Sequence, residues 1–277
     1  MKYFALVLLI FSSLAAADND GHFESSTSSH GSDAITLTVV NDWTLSAKAL
    51  GLDVFFTMSG AIILAANDEY NVVQAYRDGA PLVALDLNPS NGDCFGVAWN
   101  NDVQNDFYLI NDIDNDSLFH TENFGGAWSY FTNPAGTNGR GMDFDGTDYW
   151  ESNSTAGGVW RFSLGGAQEL ISLSEPPTAL SGLTVFPNGS STCLAVTCYS
   201  TLNIYFYDWD GSAMTYLGSA VCPAADVASS YGLAYSGFNE NIFWSYRDTS
   251  GAYHLAEFSL SLSSLSHSSW GAIKASF

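Results

Sequence analysis

From Ile35 onward the chain alternates between short apolar runs and clusters of Gly, Asn, Asp, Ser and Pro. ITLTVV (35–40), AIILAA (61–66), NVVQAY (71–76) and PLVALDL (81–87) have strand length and are rich in β-branched residues. No segment carries a sustained 3.6-residue apolar stripe between helix caps, so the pattern predicts an all-β chain.

One element recurs: a glycine, an apolar residue, any residue, and another apolar residue. It begins at Gly51 (GLDVFF), Gly96 (GVAW), Gly141 (GMDF), Gly182 (GLTVF) and Gly232 (GLAY), at spacings of 45, 45, 41 and 50 residues. Turn-forming pairs follow the copies: Ser59-Gly60, Asn100-Asn101, Asp145-Gly146, Asn188-Gly189 and Ser236-Gly237. Such pairs tolerate the positive φ of tight hairpins. A period of this length with four strand-like runs per unit predicts a five-bladed β-propeller of four-stranded antiparallel blades. Six blades fit if 35–50 belongs to a blade of its own. The fifth unit supplies SYGLAY, NIFWSY and YHLAEFSL but has no clear fourth strand. Either ITLTVV or the C-terminal WGAIKASF can complete it and so remove an exposed sheet edge; ITLTVV is favoured. Phe55, Trp99, Phe144, Phe186 and Tyr235 fall at corresponding places on the innermost strands, where blade-to-blade core packing is expected.

Composition narrows the context. Hydrophobic residues make up 47% of the 277, enough for a large core. The 29 acidic and 7 basic residues give a net charge of −22, which argues against nucleic acid and anionic membranes as partners. Residues 1–17 read as a signal peptide: Lys2, then the apolar run Phe4–Phe11, then the small-residue site Ala15-Ala16-Ala17. The run is too short to span a bilayer, so no membrane insertion is expected after cleavage. The mature protein is expected to be secreted, periplasmic or in the cell envelope. Residues 18–34, rich in Ser, Gly, Asp and His, read as a flexible leader, and 35–277 as the propeller. Cys94, Cys193, Cys198 and Cys222 allow three disulfide pairings or buried thiols, and no CxxC marks a zinc knuckle.

The unit RGMDFDGTDYWESNS…GVWRFSL, residues 140–164, resembles a repeat of secreted bacterial propellers, the NHL-like and YncE-like group, of the form GLAFDGTYLWVSDS…RIYKID. The resemblance implies the fold and leaves function open, since such rings serve as enzymes, lectins and adaptors. The same segment distantly resembles the plant-type glutaminyl cyclases, five-bladed propellers with a TQGL…DG…YESTGLYG signature. Arg140-Gly141-Met142 stands where Gln-Gly-Leu would be, and Tyr149-Trp150-Glu151-Ser152 near the YES. The Gln is replaced by Arg140, Trp150 separates the Tyr from the Glu, and Asn153-Ser154-Thr155 stands for Thr-Gly-Leu. The resemblance implies a proton-carrying role for Glu151.

Other acids are candidates by pattern. Asp112, Asp114 and Asp116 alternate in a hairpin loop, as ligands of a hard cation such as Ca²⁺ do, although the Gly and Glu of an EF-hand loop are missing. Asp53 and Asp143 share one place on the inner strand, two residues past the repeated glycine, and with Asp148 are candidate ligand-binding residues. The other copies carry Ala98, Thr184 and Ala234 there. HExxH, GxSxG and P-loop patterns are absent. The expected function is a non-enzymatic binding or interaction module for a protein or carbohydrate ligand. The alternative is a channel-site enzyme, cyclase-like through Glu151 or glycoside-hydrolase-like through Asp53 and Asp143.

Overall fold

The computed structural model describes residues 35–86, 92–102, 105–122, 127–175, 177–224 and 226–262. The expected signal peptide, the expected leader and the WGAIKASF segment lie outside them. Twenty strands form five antiparallel sheets of four. The first blade holds β2 (Leu52–Thr57), β3 (Gly60–Asn67), β4 (Val72–Arg77) and β5 (Ala80–Asp86). The second holds β6 (Cys94–Asp102), β7 (Asn105–Asp112), β8 (Ser117–Glu122) and β9 (Trp128–Thr132). The third holds β10 (Gly139–Phe144), β11 (Tyr149–Asn153), β12 (Gly158–Phe162) and β13 (Gln168–Ser172). The fourth holds β14 (Leu180–Asn188), β15 (Ser191–Cys198), β16 (Asn203–Trp209) and β17 (Met214–Val221). The fifth is β18 (Val227–Ser236), β19 (Asn241–Asp248) and β20 (Tyr253–Leu262), finished on its outer side by β1 (Ile35–Leu45). The first strands of the blades touch one another in sequence, and β18 returns to β2, which closes the ring. The fold is a five-bladed β-propeller.

Closure uses the N-terminal strand: Ile35 pairs with Leu262, and the ladder runs to Leu45 opposite Tyr253. Side chains fasten it. Asp42 accepts hydrogen bonds from the Tyr246 hydroxyl at 2.7 Å and lies 3.0 Å from His254 Nδ1, and Asn41 Nδ2 donates to Glu257 at 2.7 Å.

The hydrophobic core is five clusters rather than one, each between two neighbouring blades. That is why a strand such as β15, STCLAVTC, is buried on both faces from Cys193 to Cys198: each sheet is covered on both sides. The repeated glycine has a physical cause at the same seams. A Cβ on Gly51 would sit 2.5 Å from the Phe95 carbonyl oxygen, one on Gly141 2.5 Å from the Leu183 nitrogen, and one on Gly182 2.5 Å from the Tyr231 carbonyl oxygen. On Gly96 and Gly232 it would overlap the carbonyl oxygens of Arg140 and Leu50. Inner strands of adjacent blades meet backbone to backbone, and only a hydrogen side chain permits it. Polar groups on the second strands reinforce the contact. Ser152 donates to Ser181 O at 2.9 Å, Thr197 to Tyr231 O at 3.2 Å, Ser245 to Leu50 O at 3.1 Å, and Asn111 to Arg140 O at 2.9 Å. The first blade has Ala66 there, and its seam is bridged by the backbone bond from Gly51 N to Phe95 O at 2.5 Å.

Two of the expected turns differ. Asn100-Asn101 lies inside β6, because the strand extends to Asp102. The turn after β18 places Glu240, not Gly237, at positive φ (60°). Gly60, Gly146 and Gly189 do turn with positive φ. The four cysteines are buried free thiols, and burial holds each of them above the ordinary thiol range. Among the described residues, no helix is long and apolar enough to cross a membrane.

Candidate functional site

The residue before each seam glycine lies where the inner strands begin, so the ring brings Leu50, Phe95, Arg140, Ser181 and Tyr231 to one end of the channel. All five line a single cavity of about 360 Å³, joined at its rim by Lys48, Asp68 and Tyr199. Lys48 is neutralised: its Nζ bonds both oxygens of Asp68, at 2.9 and 2.7 Å. Arg140 differs. The short 3₁₀ turn Gly136–Asn138 sets it, with Nη1 donating to the carbonyls of Thr137 (3.0 Å) and Gly139 (2.6 Å). Its guanidinium stands 5.5 Å from the centre of the Phe95 ring, a cation–π arrangement. Among the described residues no carboxylate forms an ion pair with it. The ring of Tyr199, 48% exposed, lies 5.8 Å from that of Tyr231 and forms an apolar wall.

Glu151 sits behind this mouth, in the seam between the second and third blades. Register explains why it is unusual: it pairs with Met142, and the matching positions of the other blades are Ala65, Ile110, Val196 and Trp244. One carboxyl thus replaces an apolar group in an otherwise apolar ring. It is 0% exposed. Its Oε1 accepts from Asn111 Nδ2 at 2.8 Å and Asn133 Nδ2 at 3.0 Å, while Oε2 has no partner. A Cβ at residue 139 would collide with Oε1, so Gly139 makes room for it. Burial pushes the carboxyl up to about 7, against the opposing pull of the two amides and the Arg140 charge.

Deeper along the inner strands, Asp53 and Asp143 cross the seams. Asp53 accepts from Trp99 N at 2.5 Å and Val54 N at 2.6 Å. Asp143 accepts from the Thr184 hydroxyl at 2.6 Å, Val185 N at 2.7 Å and Phe144 N at 2.7 Å. Thr184, at the same place in the fourth blade, accepts from Tyr235 N at 2.9 Å. Burial first, then the charge of Asp143, holds Asp53 well above the carboxylate range; burial raises Asp143 to about 6. Beyond them, aromatic rings meet across the seams, Phe55 against Trp99 at 4.7 Å and Phe186 against Tyr235 at 4.1 Å.

The remaining candidates lie apart. Asp148 forms an ion pair with Arg161 at 2.6 Å, and that guanidinium stands 5.7 Å from the Trp150 ring centre. Asp112 ends β7 and caps the following turn, accepting from Gly92 N, Asp114 N, Asn115 N and Asn115 Nδ2. Despite the desolvation that opposes it, this set holds Asp112 below the ordinary carboxylate range. Asp114 and Asp116 are exposed, Asp116 at φ 53°. Among the described residues no three His, Cys, Asp or Glu side chains stand together as a metal-ligand group.

With the geometry established, likeness to known proteins bears on the fold. No family model and no curated protein matches the sequence. Many solved structures share the ring. One is the PQQ-bound aldose sugar dehydrogenase of Streptomyces coelicolor, with TM-score 0.54 and 9% identity over 82% of this chain and 99% of that one. A structural genomics protein of unknown function from Bacteroides thetaiotaomicron gives 0.53 and 9% over 82% and 76%. A chain of a nidogen/laminin complex gives 0.52 and 12% over 73% and 76%. At such identities the likeness speaks for the fold alone.

Arg140 and its aromatic surround were not singled out by sequence as a binding site. The signal was present in the residue preceding each repeated glycine, which the ring carries to one mouth.

Proposed function

We propose that the chain is an exported, non-enzymatic binding module whose ligand seat is the channel mouth around Arg140. The supporting observation is the convergence of five equivalent residues on one cavity in which a fixed guanidinium lacks an acidic partner. A concave site with an apolar lining and few, well-placed polar groups is the usual form of a ligand pocket. The test is a ligand screen by thermal shift and NMR using glycans, peptides and small metabolites, on the native chain and on Arg140→Gln. Binding that Arg140→Gln or a change at Tyr199 weakens without lowering stability supports the seat; binding that neither change weakens refutes it.

The enzyme reading rests on Glu151, whose carboxyl near 7 suits proton transfer at neutral pH. Against it, the group is fully buried and shielded from the cavity lining. An activity abolished by Glu151→Gln in a protein of unchanged stability would favour that reading over a pure binding role.

A further inference from the structure

We infer that the channel mouth selects small ligands carrying a carboxylate beside a flat apolar group, with Arg140 taking the anion and Phe95, Tyr199 and Tyr231 the apolar part. The inference rests on the mouth being the ligand seat, and it names the chemistry of what sits there.

Charge is the first argument. The chain has only 7 Lys and Arg against 29 Asp and Glu, yet two of the seven line this one cavity. Lys48 is matched by Asp68 at 2.7 Å, so the cation of the cavity without an ion-pair contact among the described residues is Arg140. Glu151 and Asp93 act on this guanidinium through space and not by an ion pair: the hydrogen bonds of Glu151 are to Asn111 and Asn133. A protein this acidic repels polyanions at long range, so what reaches a partly buried guanidinium is a small anion of low charge.

Geometry is the second. Backbone carbonyls of Thr137 and Gly139 hold Nη1, and Phe95 lies beneath the group, so the guanidinium is oriented before any ligand arrives. A planar guanidinium with one edge anchored offers its other edge to a planar carboxylate, for which two parallel N–H···O bonds are the preferred arrangement. Preset donors lose little side-chain freedom on binding. Third, the wall beside it is aromatic. Tyr199 is half exposed and leans toward Tyr231, and Leu50 and Leu180 complete an apolar floor. A flat hydrophobic group attached to the carboxylate can lie against these rings while the anion meets Arg140.

The experiment is a fluorine NMR titration of the full chain with para-fluorophenylacetate, its neutral amide para-fluorophenylacetamide, and acetate as competitor. The acid is expected to bind in the millimolar range or tighter, with the amide roughly tenfold weaker, the order expected for losing a charge-assisted hydrogen bond. Arg140→Gln should bring acid and amide to the same weak affinity, and Arg140→Lys should recover only part of the preference. Tyr199→Ala, a surface change, should weaken acid and amide alike. Equal binding of acid and amide, with both lost in Tyr199→Ala, overturns the anion preference and leaves the seat standing. No binding of either probe, or binding indifferent to both positions, overturns the inference and the seat together. Thermal melts of each variant separate loss of binding from loss of fold.

Discussion

Replacing Glu151 by glutamine should make the protein more stable at alkaline pH and leave it about as stable at mildly acid pH. The folded protein holds this carboxyl at about 7, where an unburied one lies at 4.5. Below about pH 4.5 both folded and unfolded chains carry the proton, and the group costs nothing. Between about 4.5 and 7 the unfolded chain releases its proton and the folded chain keeps it, so stability falls as pH rises. Above 7 the loss levels off at the difference of about 2.5 units, or about 3 kcal/mol. Glutamine keeps the shape and an oxygen for Asn111 and Asn133 but cannot ionise. Urea unfolding followed by tryptophan fluorescence at about pH 5 and about pH 8 measures the effect. The wild type should lose about 2.5 kcal/mol more than the variant between the two, since part of the loss is already present at pH 5, or about 5–10 °C in Tm for a ring of this size. Asp53 and Asp143, also raised, shift stability in the same direction in both proteins and cancel from the difference. Parallel pH profiles for the two proteins, or a variant that is the less stable one at pH 8, would refute the assignment of a buried, protonated carboxyl.

Three further outcomes follow from the packing. Gly141→Ala should cost about 2–4 kcal/mol in urea denaturation, because the added Cβ lies 2.5 Å from Leu183 N and 2.8 Å from Gly182 Cα; Gly146→Ala, at a turn with open space around it but φ 94°, should cost about 1 kcal/mol. Removing residues 35–45 should abolish the monomer in size-exclusion chromatography, since it uncovers the edge of β20 and takes Leu37 and Leu45 from two seam cores. Calcium or EDTA should leave Tm unchanged if the turn alone occupies both oxygens of Asp112; a calcium-dependent rise would support the Asp112–Asp116 loop as a cation site.

The ring was legible in the sequence because its cause is local. Each inner strand needs a glycine where it meets the next, so the glycine recurs with the blade, and counting it counts the blades. The closing strand was legible for a similar reason: the fifth unit lacked a partner that ITLTVV could supply. Chemistry was less legible. Glu151 takes its environment from Asn111 and Asn133, forty and eighteen positions away in another blade, and only the strand register shows that it replaces Ile, Val, Ala or Trp. Asp112, Asp114 and Asp116 look like ligands when spacing alone is considered. Their backbone leaves a strand and enters a turn between the first and the second, and the turn's own amides take up the oxygens of Asp112. Asp53 and Asp143 were correctly set on one inner level, but nothing in the linear pattern says that their oxygens are occupied by the amides of Trp99 and Val185.

The pairing of Ile35 with Leu262 has a consequence for assembly. It joins the two most distant strands of the ring, so the last contact to form is the one with the greatest loop-closure cost. Until it forms, β20 presents an unsatisfied edge that accepts the first strand of any copy, its own or a neighbour's. At high protein concentration refolding should therefore yield strand-exchanged dimers, each ring completed by the other's N-terminal strand and each identical in its seams and mouth to the monomer.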